Sequence, residues 1–599
     1  MKKRAIPAAY PSSRTLWRLW LGLVLCFVAT AAARAPQKPP AGANAGRAEI
    51  GRSGGRLVVA LRAEPKTLNP LVAADAPSRE LVGVMHADLV HINRSTQLTE
   101  PALAKSWRVS ADGLKYTVVL RTGLRFSDGH PLDADDVLFT FRVYLDENVH
   151  APQRDLLIVA GKPIAVRKVD AYTVEFALVR PYGAGERLFD GLNILPRHVL
   201  EAAYLEGTVA RAWSLNTPAN EIAGMGPFRL KEYVAGQRVV LERNPYYWKQ
   251  DARGTSLPYL DELAFLFVPN ADAQVLRFQA GETDAIGRLG AENFAVLSRQ
   301  AHDAVMTDSG PGLEYNFLVF NLNEPNEKTS AEQRLHRSWF QERRFRQAVS
   351  AAVDREAIVR LVYQGRGAAL WGPVTPGNRR WINTSLPHPA QSFDRARELL
   401  RSAGFAWKNG ADGEQLFDSA GSAVEFSIIV SSSNAERVKM AALIQDDLKQ
   451  LGMRVQVTPL EFRSLLDRVT QSREYDTCVV GLASFDADPG ADVNVWLSSG
   501  GTHLWNPSQA RPATPWESEI DRLMEEQLGA RTFEERKQRF DRVQAILAEE
   551  QPMVFLATPD VLSGAKNTVG NFHPAVIEPS ILWNVEYLFQ RDAAEKGRR

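Results

Sequence analysis

Cysteine is scarce in this sequence. Among its 599 residues, only Cys26 and Cys478 are cysteines. If an N-terminal leader containing Cys26 is removed, no intrachain disulfide can form, and the fold must depend on its hydrophobic core. Cys478 lies in the apolar run 477–482, and we expect it to be a core residue rather than a nucleophile.

The sequence also lacks an excess of positive charge. It contains 71 Lys and Arg residues against 70 Asp and Glu residues. Residues 1–35 hold six of the positive charges and no acid, so the rest of the chain has 65 basic and 70 acidic residues, a net charge of −5. Binding to a nucleic-acid backbone needs a clear positive excess, so no nucleic-acid partner is expected.

Long apolar runs are missing beyond the N-terminus. A basic start is followed by the apolar segment Leu19–Ala29 and by Ala33-Arg34-Ala35, a small-x-small cleavage pattern. Residues 1–35 are therefore predicted to be a Sec-type signal peptide, and the protein is predicted to be periplasmic, outside the cytoplasmic membrane. The apolar run is short for a membrane span of about 20 residues. Two other outcomes stay open, and each would tether the protein to the membrane: the apolar segment is retained as an anchor, or a lipid is attached to Cys26.

Common catalytic motifs are absent from the sequence as well. We find no HExxH, GxSxG, P-loop or CxxC pattern, and the ten His residues are scattered. Residues 486–492 resemble a calcium loop, but position five is Gly490 and position twelve is Leu497, where a bidentate Glu is needed. No metal or cofactor is expected. A Ser-His-Asp site, which is assembled only in space, stays open.

Mixed α and β patterns are present along the chain. Residues 36–55, rich in Pro, Gly, Ala and Arg, predict a flexible linker, and Arg56–Leu61 predicts the first strand. Alternating apolar residues predict strands at 114–120 and 172–178. Capping residues predict helices after Asp133, Asn434 and Thr532.

Aromatic residues are plentiful, with 13 Trp, 14 Tyr and 26 Phe. Four of the Trp residues lie in polar, loop-like surroundings: Trp371, Trp381, Trp496 and Trp505. Such a Trp either packs at the edge of a core or forms the wall of a pocket for an organic ligand.

Five blocks of sequence, in order, carry a family resemblance. They are residues 64–70 (EPKTLNP), 101–107 (PALAKSW), 110–141 (SADGLKYTVVLRTGLRFSDGHPLDADDVLFTF), 224–248 (GMGPFRLKEYVAGQRVVLERNPYYW) and 345–365 (FRQAVSAAVDREAIVRLVYQG). Together they resemble the family 5 extracellular solute-binding proteins of ABC importers, the oligopeptide, dipeptide and nickel-type receptors. The blocks are distributed over most of the chain that follows the leader.

The resemblance implies an α/β fold with two lobes joined by a hinge, of the type II, cluster C-like periplasmic-binding-protein class. Lobe one would comprise residues 56–312, including an extra subdomain at about 108–220. Residues 313–323 would cross to lobe two at 324–550, and residues 551–599 would return and complete lobe one.

The resemblance also implies a function. Lobe closure would capture a small peptide or related organic solute, and the closed receptor would deliver it to the permease of an ABC importer, whose ATPase does the chemical work. The chain would be a monomer without catalytic residues. Two alternatives stay open: a secreted hydrolase acting on peptides or glycans, and a signalling or chaperone role for the same fold.

The resemblance implies a ligand site as well. In peptide-binding relatives, an Asp four residues before a Pro of lobe two pairs with the ligand ammonium group. Here Phe485 stands at that place and Asp486 lies three residues before Pro489. We nevertheless take Asp486 as the best candidate for a cationic ligand group, with Glu64 as a second. The complete candidate set is Glu64, Trp371, Trp381, Asp486, Asp488, Trp496, Trp505 and Asn506.

Overall fold

The structure is a computed structural model, and it describes residues 49–591 except 328, 411, 412 and 485. The predicted signal peptide and most of the predicted linker lie outside the described residues, as does Cys26. Within the described part of the chain, no helix combines the length and apolar character needed to cross a membrane.

The strands of the described residues are numbered in chain order. They are β1 Arg56–Leu61, β2 Val90–Ile92, β3 Thr99–Pro101, β4 Ala104–Val109, β5 Lys115–Leu120, β6 Ile158–Val159, β7 Lys162–Pro163, β8 Ala165–Asp170, β9 Thr173–Ala177, β10 Phe228–Val234, β11 Arg238–Arg243, β12 Glu262–Phe267, β13 Ala285–Ile286, β14 Ala304–Pro311, β15 Glu314–Phe320, β16 Gly367–Ala369, β17 Ala406–Gly410, β18 Gly413–Phe417, β19 Glu425–Ser431, β20 Arg454–Leu460, β21 Thr477–Ala483, β22 Met553–Lys566, β23 Val569–Gly570 and β24 Phe589–Gln590.

The α-helices are numbered in the same way. They are α1 Ala76–Met85, α2 Ala134–Leu145, α3 Arg197–Leu205, α4 Ala271–Gln279, α5 Ala291–Gln300, α6 Ala331–Gln341, α7 Arg343–Ala352, α8 Arg355–Val362, α9 Phe393–Ser402, α10 Ala435–Lys449, α11 Phe462–Asp467, α12 Val493–Trp496, α13 Pro515–Gly529 and α14 Phe533–Glu550.

One large mixed sheet organises the fold. Its strand order is β10-β11-β12-β1-β13-β22-β15-β21-β19-β20, and β14 and β16 also pair with β22. The N-terminal part of β22, up to Pro559, pairs with β15 and β16, whereas the part from Asp560 onward pairs with β14 and β13. We call residues 56–311 and 560–591 the first half of the molecule, and residues 314–559 the second half. The strand β22 is continuous through both.

Each half has its own hydrophobic core. The main core of the first half includes Leu57, Phe126 and Phe265, and two cores of the second half include Phe345 and Phe555. The chain passes from β14 to β15 through Gly312, whose N–H donates to the Pro559 carbonyl oxygen at 2.9 Å. At this point the two strands that join the halves are therefore hydrogen-bonded to each other.

Several local predictions are confirmed. The strand β5 alternates exposed and buried residues, as the sequence pattern requires, and pairs with β4 and β9 in a separate four-stranded sheet. Asp133 caps α2, and Thr532 with Glu535 forms a capping box at the start of α14. Cys478 is fully buried in β21, and burial raises the pKa of its thiol, as expected for a core residue.

Candidate functional site

A cavity of about 680 Å³ lies between the two halves of the molecule. Its first-half wall comes from β4, β5 and the segment 181–187, and its second-half wall comes from 380–381, Asp488 and the start of α14. The lining residues are Thr99, Val109, Ser110, Gly113, Tyr116, Pro181, Tyr182, Gly183, Ala184, Glu186, Arg187, Arg380, Trp381, Asp488, Ala530, Arg531, Thr532, Phe533, Glu535 and Arg536. This volume is within the range of pockets that enclose small organic ligands.

A buried ion pair, Arg536 with Asp488, lies in the second-half wall of this cavity. The Arg536 guanidinium donates from Nη1 to Asp488 Oδ2 at 2.7 Å and from Nη2 to Asp488 Oδ1 at 2.6 Å. The two side chains are only 5% and 4% exposed. Burial opposes ionisation of Asp488, but the facing Arg536 charge and its hydrogen bonds outweigh burial and lower the pKa of this carboxyl group. Asp488 is therefore a charged group at neutral pH.

Arg187, a residue of the first half, contacts Asp488 and a second carboxylate of the second half, Asp486. It lies in the 3₁₀ helix Gly185–Phe189, and its guanidinium forms an ion pair with Asp486. Its Nε atom also lies 3.5 Å from Asp488 Oδ2. The Arg187 side chain is 13% exposed and that of Asp486 22% exposed, so solvent screens this bridge only partly.

Backbone and amide hydrogen bonds join the halves around this charge cluster. The Gly183 N–H donates to the Leu528 carbonyl oxygen at 2.6 Å, and the Gly183 carbonyl accepts from Arg536 Nη1 at 3.2 Å. Gln97 Nε2 donates to the Gly377 carbonyl oxygen at 2.7 Å. These contacts describe a molecule whose two halves have closed on each other.

The predicted site residues are distributed over several environments. Trp381 and Asp488 line the cavity between the halves, and Asp486 lies at its margin, paired with Arg187. The Trp381 indole is buried beneath the Arg536 guanidinium, which lies 4.9 Å from the ring centroid. Trp496 is buried beside a second, smaller cavity of the second half.

The structure gives the other candidates different contacts. Glu64 accepts hydrogen bonds from Tyr233 Oη and the Gly236 N–H, so it holds the β10–β11 hairpin. Trp505 is fully buried and donates to Glu517, and Asn506 is buried next to it. Trp371 stacks on His388 at 4.3 Å. None of these four residues lines the cavity between the halves.

Sequence reasoning missed Arg187 and Arg536. For Arg536, one signal of a buried role exists in the sequence: its spacing places it on the same face of α14 as the apolar residues Phe540 and Val543, and this face is buried. A charged residue at such a position needs a buried partner. Arg187 offered no comparable pattern, because its partner Asp486 is 299 residues away in the chain.

Among the described residues, one group has ligand atoms close enough to hold a metal ion. Asp88, His91 and Asp190 each offer one atom, and these atoms lie within 4.8 Å of one another. Arg94 Nη1 lies 3.9 Å from Asp190 and already supplies a positive charge there. Burial and then the Asp190 charge raise the pKa of Asp88 to about 7. This group is separate from the residues that line the cavity.

Two halves that share a continuous strand and enclose a cavity define a class of binding protein that traps its ligand by closure. Residues 99–503 match the model of the bacterial extracellular solute-binding proteins, family 5. The chain belongs to this family, which consists of substrate-binding proteins of ABC importers rather than enzymes.

Similar proteins agree with this assignment. The chain is 28% identical over 563 residues to a probable ABC transporter-binding protein of Deinococcus radiodurans, covering 90% of this chain and 93% of that protein. It is 26% identical over 540 residues to the oligopeptide-binding protein AppA of Bacillus subtilis, covering 87% and 90%. The solved structure of AppA from Bacillus subtilis in complex with a nonapeptide shares the fold, with a TM-score of 0.67 at 24% identity, covering 90% of this chain and 100% of that one.

Proposed function

We propose that this protein is an exported, monomeric receptor that captures a small peptide or a related organic solute between its two halves and presents it to the permease of an ABC importer. Under this proposal the two halves act as the two lobes, and the chain crosses between them at Gly312 and between Pro559 and Asp560. The chain itself catalyses no reaction.

The observation that carries this proposal is the cavity between the halves. Residues of both halves line it, and the Arg187 bridge to Asp486 and Asp488 joins them at its edge. Opening the molecule would separate Arg187 from both carboxylates. Closure therefore creates the cavity and the charge bridge together, and a ligand that contacts both walls would favour the closed state.

The peptide class is supported by AppA of Bacillus subtilis, which is named for oligopeptide binding. In the present chain, a ligand ammonium group would compete with Arg187 for Asp486. If Asp486 holds such a group, Asp486→Asn should weaken binding by about 2–5 kcal/mol, because a desolvated charge would lose its partner. Unchanged affinity in this variant would remove Asp486 from the site.

Thermal melting with dialanine, trialanine and tetraalanine tests the function. A ligand present at 100 times its Kd should stabilise the protein by about 2.7 kcal/mol. Chromatography of the recovered peptides should show them intact. Peptide cleavage that a single point mutation abolishes would contradict the receptor assignment and favour a hydrolase.

A further inference from the structure

A second, small cavity lies inside the second half, directly behind the loop that lines the large one. Asp488 faces the large cavity, whereas Ala487, Pro489 and Asp492 of the same loop line the small one. The volume of the small cavity is about 30 Å³. Its lining also includes Tyr315, from the crossing strand β15, and Trp496, from α12.

Two buried hydrogen-bond donors that line this cavity have no partner among the described residues. Tyr315 is 3% exposed and Trp496 is 2% exposed. Among the described residues, neither the Tyr315 hydroxyl nor the Trp496 indole N–H has a hydrogen-bond partner. An unpaired buried polar group costs about 1–3 kcal/mol, so two in one cavity call for an occupant.

A carboxyl group lies in the same lining as the two donors. Asp492 is half-buried there, and burial raises its pKa to about 6, against the lowering effect of a hydrogen bond from the Ser484 side chain. Burial and then the Asp492 charge raise the pKa of Tyr315 as well, which means that the two groups interact electrostatically. The cavity thus offers two donors and one carboxylate to a single small guest.

This combination is complementary to a hydroxyl group. A hydroxyl donates one hydrogen bond and accepts two, whereas a carboxylate only accepts and an ammonium only donates. A carboxylate guest would also be repelled by Asp492. The volume admits a group the size of water but not a phosphate or an aromatic ring.

We infer that this cavity is a specificity subsite for a hydroxyl group of the bound solute, so that hydroxyl-bearing peptides are preferred over their alkyl counterparts. The Trp496 N–H and the Tyr315 hydroxyl donate to the guest oxygen, and the guest hydroxyl donates to Asp492. The inference rests on the proposed function, because it specifies which solute the receptor selects.

Calorimetry with trialanine and with its three single-serine isomers tests the inference. These peptides differ from one another only by one hydroxyl group and its position. The wild type should bind one serine isomer at least about tenfold more tightly than trialanine, because a site built for a hydroxyl discriminates against its absence. Tyr315→Phe should lose most of this preference, so that its affinities for the serine isomer and for trialanine become similar.

Tyr475→Phe is the matched control. The Tyr475 hydroxyl is also buried, but it donates to the Leu504 carbonyl oxygen at 2.9 Å and lies outside this cavity. Its removal should lower the melting temperature and leave the serine preference unchanged. Tyr315→Phe removes an unpaired hydroxyl, so its melting temperature should not fall. Trp496→Phe provides a second variant that should lose the preference.

Equal affinity of the wild type for all four peptides would overturn the inference and indicate that the cavity holds a trapped water only. A serine preference that persists in both Tyr315→Phe and Trp496→Phe would overturn it too. In either case the proposed function stands, because the peptides still bind. Failure of the wild type to bind any of the four would refute small-peptide capture and this inference with it.

Discussion

Arg536 and Asp488 form a bidentate ion pair that is almost completely buried at the edge of the closed cavity. Two N–H groups of the guanidinium meet two carboxylate oxygens at 2.7 and 2.6 Å. Since Arg187 approaches the same carboxylate from the first half, the pair belongs both to the core of the second half and to the contact between the halves.

Asp488→Asn should destabilise the second half strongly. The substitution leaves the buried Arg536 guanidinium without a counter-charge, a loss that typically costs about 3–5 kcal/mol. Urea unfolding measures the change. The control is Glu526→Gln, which breaks two ion pairs at the surface, with Arg522 and with Arg539, and should cost at most about 1 kcal/mol. Similar losses in the two variants would contradict the assigned role of the buried pair.

Arg187→Gln should favour an open molecule. The variant loses the ion pair with Asp486 and the contact with Asp488, which both cross between the halves. We expect the radius of gyration of the peptide-bound protein to increase in small-angle scattering, because closure around the peptide loses these contacts. Arg167→Gln removes an exposed ion pair with Glu175 within the first half and should leave the radius unchanged. A radius unaffected by either substitution would mean that Arg187 does not hold the halves together.

Gly183→Ala should hinder closure. A Cβ atom at this position would lie 2.3 Å from the Ala530 carbonyl oxygen of the opposite half. The clash exists only when the halves meet, so affinity for the peptide should fall at least about tenfold, the equivalent of 1.4 kcal/mol. The melting temperature without peptide should change little. Gly501→Ala, where no atom lies within 4 Å of the added carbon, is the control. Wild-type affinity in Gly183→Ala would contradict closure at this contact.

His86 should make the protein sensitive to acid. It is 3% exposed, both ring nitrogens lack partners among the described residues, and burial lowers its pKa to about 4. The unfolded chain, with a His pKa of about 6.5, binds the proton more tightly, so this contribution to stability is complete above pH 6.5 and is lost as the pH falls towards 4. At pH 5 the loss is about 2 kcal/mol.

His86→Phe tests this sensitivity, because it keeps a ring stacked against Trp213 and cannot take up a proton. Stability curves at pH 5 and pH 7.5 should differ less in the variant than in the wild type. His302→Phe, at an exposed position of the first half, is the matched substitution. An unchanged pH dependence in His86→Phe would show that His86 is not the group responsible.

The sequence predicted those parts of the fold that depend on neighbouring residues. The strand β1, the capping of α2 by Asp133 and the capping box of Thr532 with Glu535 are short-range features, and the structure has all of them.

The candidate site was harder to predict because its contacts join distant parts of the chain. Polar surroundings in the sequence left open whether Trp505 packs at the edge of a core or forms a pocket wall; in the structure it is buried and donates its N–H to Glu517. Conversely, the sequence around Arg187 does not indicate a role at the site, because its partner Asp486 is distant in the chain and lies opposite it only in the folded protein. Spacing along the chain carries no information on which residues of two separate halves meet.

The most direct test of the account measures the distance between the halves. Spin labels can be attached at Arg108→Cys and Glu534→Cys, two exposed positions on opposite halves, with Cys26 replaced by serine and Cys478 buried. We expect a broad or long distance distribution without peptide that becomes short and narrow when a bound alanine peptide is present. A distribution that stays the same while the peptide binds would contradict capture by closure.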